Sequence, residues 1–150
     1  MRFHSDQGDA LTRGTVFQAV AKLRAADAEV LHRRKCFLGA VYLAGYAVEC
    51  HLKYMVCMTH GCISLPTWVF FPGGEKPVRL YTHEWDILVA TAQTRRVIEK
   101  QPAISAIYSD LAGRWGPPLR YRTKPYGRGE GERLYKHMLE LYQFLQESRS

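Results

Sequence analysis

The feature that most constrains this chain is a long apolar segment from Lys35 to Gly61 that carries a carboxylate, Glu49, at its middle. Apolar residues recur there at three- and four-residue steps and fill a second stripe beside the first, a pattern typical of a helix packed on more than one side. A membrane span would need roughly 20 apolar residues, whereas the longest uncharged run within this segment, 36–48, is shorter. The segment is therefore predicted to be a central core helix, with Gly61 as its C-terminal stop.

Length and composition favour one domain. The 150 residues carry a formal net charge of +7 and a pI near 9.4, which suggests an anionic partner such as nucleic acid. Residues 1–14 are polar and are predicted to form a flexible arm before a single domain over residues 15–150. The arm lacks the apolar run of a secretory signal, so we expect a cytoplasmic protein that does not enter the membrane.

A first helix is predicted from Val16 to His32, with Thr15 as its cap. Its predicted buried face consists of Val16, Val20, Leu23, Ala26, Val30 and Leu31. Three later segments also have helical periodicity, and they begin at Thr82 or His83, at Pro102 and at Glu130. The last of these is predicted to end at Glu147, and the fold class is all-α.

Residues 62–81 interrupt the helical pattern. Three prolines and two glycines in this stretch forbid a continuing helix. The apolar run from Trp68 to Phe71 is predicted to fold back on the helices, with a short hairpin, or else to meet a partner chain.

Five cations without an acidic residue distinguish the segment Arg114–Arg128, which we call the basic segment. Three aromatic residues are interleaved with the cations, a combination that suits a phosphate backbone and stacked bases. The alternative is a solvated loop whose aromatic residues hold it against the core. The candidate binding residues are Arg114, Arg120, Tyr121, Arg122, Lys124, Tyr126 and Arg128.

The four cysteines contain no Cys-x-x-Cys pair and are predicted to be thiols. Cys57, His60 and Cys62 supply three potential zinc ligands, but a structural site needs a fourth ligand and their spacing matches no standard knuckle. We therefore predict neither a metal nor a cofactor.

Three motifs occur in a characteristic order. They are YLAGYAVECHLKYMV at residues 42–56, THEWDILV at residues 82–89, and an Arg-Tyr pair, Arg120 and Tyr121, ahead of the last amphipathic helix. From about residue 15 to residue 147 this order and spacing resemble the HEPN family of prokaryotic helical domains. The resemblance implies an up-and-down bundle of four to five helices with a long, partly irregular insertion after the central helix. It also implies a homodimer whose facing surfaces form a cleft.

The resemblance further implies a link to RNA. Many HEPN proteins cleave RNA without a metal through an Arg, four to six residues and then a His, while others pair with small nucleotidyltransferases or are proposed to bind nucleotides. The nearest match here, Arg133 and His137, has only three residues between the two. Residues four apart share a helix face, so this pair either supplies a base and a cation for cleavage or belongs to an ordinary solvated face.

Glu49 needs a partner, because buried carboxylates are hydrogen-bonded. The candidates are His83 and Arg120, and either contact would link the central helix to the proposed binding surface.

The predicted function is that of a HEPN-domain protein that binds RNA or a nucleotide through the basic segment, as a homodimer. The first alternative is a metal-independent ribonuclease toxin, of a toxin-antitoxin or defence system, that acts through Arg133 and His137. The second alternative is a non-catalytic interaction module that pairs with a nucleotidyltransferase.

Overall fold

Two long helices form the base of the fold. In the computed structural model, which describes residues 1–5 and 13–148, α1 spans Gly14–Arg33 and α2 spans Phe37–His60. Most of α2 is buried, and Gly61 ends it in the left-handed conformation with a φ of 65°. The predicted central helix is thus confirmed. Within the described ranges, no helix is long and apolar enough to cross a membrane.

The first helix begins earlier and faces another way than predicted. Arg13, not Thr15, precedes its first turn, and the Gly14 amide donates to the Ile63 carbonyl at 2.9 Å. The predicted apolar face is wrong in part: Leu23 and Val30 are 57% and 59% exposed, whereas Val20 and Leu31 pack against the core as predicted. The buried residues of α1 are small and lie at seven-residue steps, which lets the backbones of α1 and α2 approach closely. They are Gly14, Ala21 and Ala28.

A three-stranded antiparallel sheet covers one end of the helices. Its strands are β1 (Arg2–His4), β2 (Trp68–Phe70) and β3 (Val78–Arg79), in the order β1-β2-β3. The prediction of a flexible arm over residues 1–14 is therefore wrong at both ends, because β1 pairs with β2 and Gly14 begins α1. Its middle, residues 6–12, lies outside the described residues.

The segment 62–81 folds back on the core through this sheet. Val69 in β2 and the flanking Leu65 and Leu80 are at most 1% exposed, and β2 and β3 form a hairpin. Helices account for 67% of the described residues, so the chain is mostly helical as predicted, with a small sheet that an all-α class does not include.

Four further helices complete the fold. They are α3 (Trp85–Thr91), α4 (Arg95–Glu99), α5 (Pro102–Arg114) and α6 (Arg128–Glu147). The last helix packs against α2 and α5, and it begins two residues before the predicted Glu130. A 3₁₀ helix, Pro117–Tyr121, connects α5 to the segment that precedes α6.

Gly45 allows the Trp115 side chain to rest on α2. The Trp115 Nε1–H donates to the Tyr42 carbonyl at 3.1 Å, and its ring stacks on Trp85 with 5.3 Å between centroids. A Cβ added at Gly45 would lie 2.0 Å from Trp115 Nε1. Gly45 is thus the position on α2 at which Trp115, near the start of the basic segment, packs against the core.

Replacing Gly45 by alanine is expected to lower the free energy of unfolding by about 1–3 kcal/mol, because the added methyl group overpacks the Trp115 contact. Urea denaturation followed by tryptophan fluorescence measures this change. Gly39→Ala is the matched control in the same helix, since its Cβ would meet only the flexible end of Leu31, at 3.0 Å. Gly39→Ala is therefore expected to raise the free energy of unfolding by up to about 1 kcal/mol, because alanine has a higher helix propensity than glycine. Equal stability of Gly45→Ala and the unmodified chain would contradict this account.

Candidate functional site

The aromatic residues of the basic segment have two different roles. Trp115 and Tyr126 are each only 9% exposed and hold the segment against the core, whereas Tyr121 is 77% exposed. The interpretation of a loop held against the core therefore applies to Trp115 and Tyr126, and binding of nucleic acid by this segment stays a prediction. Tyr121 is the residue whose ring is free to stack on a ligand.

Most cations of the basic segment have no acidic partner. Arg114 pairs with Asp110 at 3.0 Å. The other four, within the described part of the chain, form no ion pair; they are Arg120, Arg122, Lys124 and Arg128. The segment thus presents a local excess of positive charge to solvent.

Two of these guanidinium groups lie against aromatic rings. Arg122 is 4.1 Å from the centroid of Tyr126, and its Nε donates to the Lys124 carbonyl at 2.7 Å. Arg120 is 5.5 Å from the centroid of Tyr121, and its Nε donates to the Pro117 carbonyl at 3.3 Å. Cation–π contacts of this kind restrain the side chains and leave guanidinium N–H groups available for an anion.

Glu49 is the most deeply buried charged group near this surface. It is 1% exposed, and its Oε2 accepts a hydrogen bond from Lys53 Nζ at 3.0 Å. Its Oε1 lies 2.6 Å from Nδ1 of His83, whose side chain is 53% exposed. The predicted pairing with His83 is therefore present. The predicted pairing with Arg120 is wrong, because that side chain is held by the 3₁₀ helix and by Tyr121.

The contact with Glu49 orients the His83 ring and fixes the role of its Nδ1. An ionised carboxylate only accepts hydrogen bonds, so Nδ1 of His83 carries the proton of this contact. In the neutral imidazole, Nε2 then has the free lone pair. The buried carboxylate thus holds an exposed imidazole in a fixed orientation.

Two adjoining grooves connect His83 with the basic segment. The first, of about 300 Å³, is lined by His83 and by the Gly116–Pro118 turn; we call it the His83 groove. The second, of about 390 Å³, is lined by Arg114 and Arg122; we call it the arginine groove. Both are lined by Trp115, Gly116 and Pro118, so the two grooves are neighbours on the surface.

Arg133 and His137 are on α6, the first with a side chain that is 46% exposed and the second partly buried. Arg133 Nη1 lies 3.9 Å from Asp110, the carboxylate that also binds Arg114. Nδ1 of His137 is buried and has no hydrogen-bond partner among the described residues. The Arg133 guanidinium would have to stabilise the negative charge of a phosphorane, and the Asp110 carboxylate offsets its positive charge. The arrangement of Arg133 and His137 therefore supports RNA cleavage less well than the basic segment supports RNA binding.

The cysteine environment resembles a packed core more than a metal site. Mainly because they are buried, the Cys50 thiol has its pKa raised to about 12 and the Cys57 thiol has its pKa raised to about 11. Both thiols therefore stay protonated at neutral pH. The His60 ring is bound through Nε2 to the Thr91 carbonyl at 2.7 Å. Within residues 1–5 and 13–148, no three His, Cys, Asp or Glu side chains come together in a way that could hold a metal ion.

Sequence reasoning missed Lys53 and Asp110. Lys53 is four residues after Glu49 in a helix, and this spacing alone predicts their contact. Asp110 is four residues before Arg114, so the same rule applies to it. Its approach to Arg133 joins two helices, and no sequence pattern signals that contact.

Comparisons with known proteins give no relative: no family model, no curated protein and no solved structure matches this chain. The resemblance to the HEPN family, carried by the three motifs, stays a prediction. The site must therefore be interpreted from its own geometry.

Proposed function

We propose that this chain is a HEPN-type protein that binds single-stranded RNA through the basic segment. The observation that carries the proposal is the exposed Tyr121 ring beside cations that have no acidic partner in the described structure, Arg120, Arg122, Lys124 and Arg128. Arginine and lysine neutralise phosphates, and an exposed aromatic ring stacks on a base of any identity. A nucleotide is the smallest ligand that would use both features.

The rigidity of the surface favours this function. Trp115 and Tyr126 are buried and fix the two ends of the segment, and Arg122 lies over the Tyr126 ring. Side chains that are already restrained lose less conformational entropy on binding. A freely moving cationic loop would lack that advantage.

The ribonuclease alternative is not part of this proposal. It rests on Arg133 and His137, and the Asp110 carboxylate lies within 3.9 Å of Arg133. The predicted homodimer and the predicted pairing with a nucleotidyltransferase stay predictions. The exposed apolar residues of α1, Leu23 and Val30, offer one surface for such a contact.

The stacking role of Tyr121 can be tested directly. Tyr121→Ala is expected to weaken binding of a single-stranded RNA about 5- to 150-fold, since stacking on one aromatic ring contributes roughly 1–3 kcal/mol per base. Fluorescence anisotropy with a labelled oligonucleotide measures the affinity. Tyr121→Phe keeps the ring and should bind as the unmodified chain does, while unchanged affinity of Tyr121→Ala would contradict the proposal.

A further inference from the structure

A cavity of about 490 Å³ lies between α1, α2 and the C-terminal end of α6, and we call it the Lys22 cavity. Its volume is within the range of small-molecule sites, roughly 300–1,000 Å³. Gln18 and Lys22 line it from α1, and Ser148 lines it just beyond the end of α6. The basic segment contributes no residue to its walls. The cavity is therefore a candidate site separate from the proposed RNA-binding surface.

Lys22 gives this cavity its charge. No Asp or Glu is among the described residues that line it. Lys22 itself is exposed and, within residues 1–5 and 13–148, forms no ion pair. An ammonium group without a neighbouring carboxylate attracts an anion. The charge of the cavity therefore favours a negatively charged ligand.

His51 lines the same cavity and adds no second positive charge. Its side chain is 5% exposed, and its Nε2–H donates to the Leu145 carbonyl at 3.2 Å. Burial lowers the pKa of the ring by more than the hydrogen bond to Leu145 raises it, and the nearby Lys22 lowers it further. The ring is therefore neutral at neutral pH. The single charge of Lys22 matches a monoanion better than a doubly charged phosphate.

Two methionines supply an apolar wall. Met55 is 6% exposed and belongs to the core, whereas Met58, one turn later on α2, is 62% exposed. Methionine side chains are flexible and polarisable, so they adapt to ligands of irregular shape. The Tyr54 ring also lines the cavity, and it lies 5.5 Å from the His51 ring between centroids. A ligand that covers this wall needs an apolar body beside its charged group.

We propose that the Lys22 cavity binds a small organic monoanion, such as a carboxylate, with its charged group at Lys22 and its apolar body against Met55 and Met58. Gln18 lies four residues before Lys22 and so shares its face of α1. Its amide is a second N–H donor for the charged group. This site goes beyond the proposed function, because it uses none of the residues proposed to bind RNA.

The test uses anilinonaphthalene sulfonate, a monoanion with an aromatic body whose fluorescence rises in an apolar site. A titration of the full chain at neutral pH measures its affinity. Lys22→Met is expected to weaken binding about five-fold or more, because it removes the charge and keeps an unbranched side chain. Met58→Glu should weaken binding by a similar factor, since a carboxylate at the cavity repels the sulfonate. Both positions are exposed, so both variants should fold.

Lys100→Met is the matched control, because it removes an exposed lysine that does not line the cavity and should leave the affinity unchanged. Phenylbutyrate should displace the dye, whereas phenylbutylamine, with the same apolar body and the opposite charge, should not. Unchanged affinity in Lys22→Met, equal displacement by the two compounds, or no binding of the dye would overturn the proposal.

Tyr121→Ala separates this site from the basic segment. The variant should bind the dye as the unmodified chain does, because Tyr121 does not line the Lys22 cavity. Loss of dye binding in Tyr121→Ala would place the dye at the basic segment and overturn the assignment to the Lys22 cavity. The proposed function is measured with RNA and not with the dye, so the two proposals fail independently.

Discussion

Glu49→Ala is expected to lower the free energy of unfolding by about 3–5 kcal/mol, the usual cost of removing one partner from a buried ion pair. The side chain of Lys53 is only 9% exposed, and Glu49 is the one carboxylate that pairs with it among the described residues. Without Glu49 the ammonium group would stay buried and unneutralised. Guanidinium denaturation of both proteins measures the difference.

Two variants separate this charge effect from a loss of packing. Glu49→Leu combined with Lys53→Met should recover most of the lost stability, because a buried ion pair is often replaced by apolar residues at little cost. His83→Ala should cost about 1 kcal/mol or less, since the imidazole is half exposed and its contact is partly solvated. A Glu49→Ala variant as stable as the unmodified chain would show that this pair does not hold the fold.

The central helix was predictable because its signal is local and long. Every turn of α2 has apolar residues on more than one side, and a glycine follows its last turn. The last helix was predictable for the same reason, with Leu134, Met138, Leu141 and Leu145 at helical spacing. In both cases the sequence pattern and the tertiary packing agree.

The elements that were mispredicted depend on contacts distant in sequence. Hydrophobicity selected Leu23 and Val30 as the buried face of α1, but the close approach to α2 selects the small residues Ala21 and Ala28. The strand β1 exists because β2, more than sixty residues later, supplies its partner. The short α4 helix has too few residues for a periodic pattern.

The residue types of the candidate site could be predicted from the sequence, whereas the burial and most contacts of these residues could not. The cations and aromatic residues of the basic segment are evident in the sequence, and so is the candidate pairing of Glu49 with His83. Burial of Trp115 and Tyr126, with Tyr121 left exposed, follows from packing against α2 and the neighbouring elements. The engagement of Arg133 by Asp110 likewise required the structure.

The largest effect on binding is expected from removing three cations of the basic segment together. Arg120→Ala, Arg122→Ala and Lys124→Ala combined should weaken binding of single-stranded RNA about 100-fold or more at low salt, since each lost contact involves a charged group and a phosphate. Electrophoretic mobility shift or anisotropy titration measures the loss. All three side chains are exposed, so the fold should be retained.

The matched control removes equal charge from other exposed positions, Arg34, Arg96 and Lys100. Each set of three substitutions lowers the formal net charge from +7 to +4 (7 − 3 = 4). The control set should retain most of the affinity if the site is local. A similar loss in both sets would mean that net charge alone attracts RNA and that the basic segment is not a binding site.

The most direct test of RNA binding at the basic segment is the salt dependence of affinity for one single-stranded RNA. If the four unpaired cations contact phosphates, log K should fall against log salt with a slope of about −2 to −3, as each contact contributes about −0.7. The Arg120, Arg122 and Lys124 variant should reduce the magnitude of that slope by about 2. A slope near zero, or one that this variant leaves unchanged, would contradict the account.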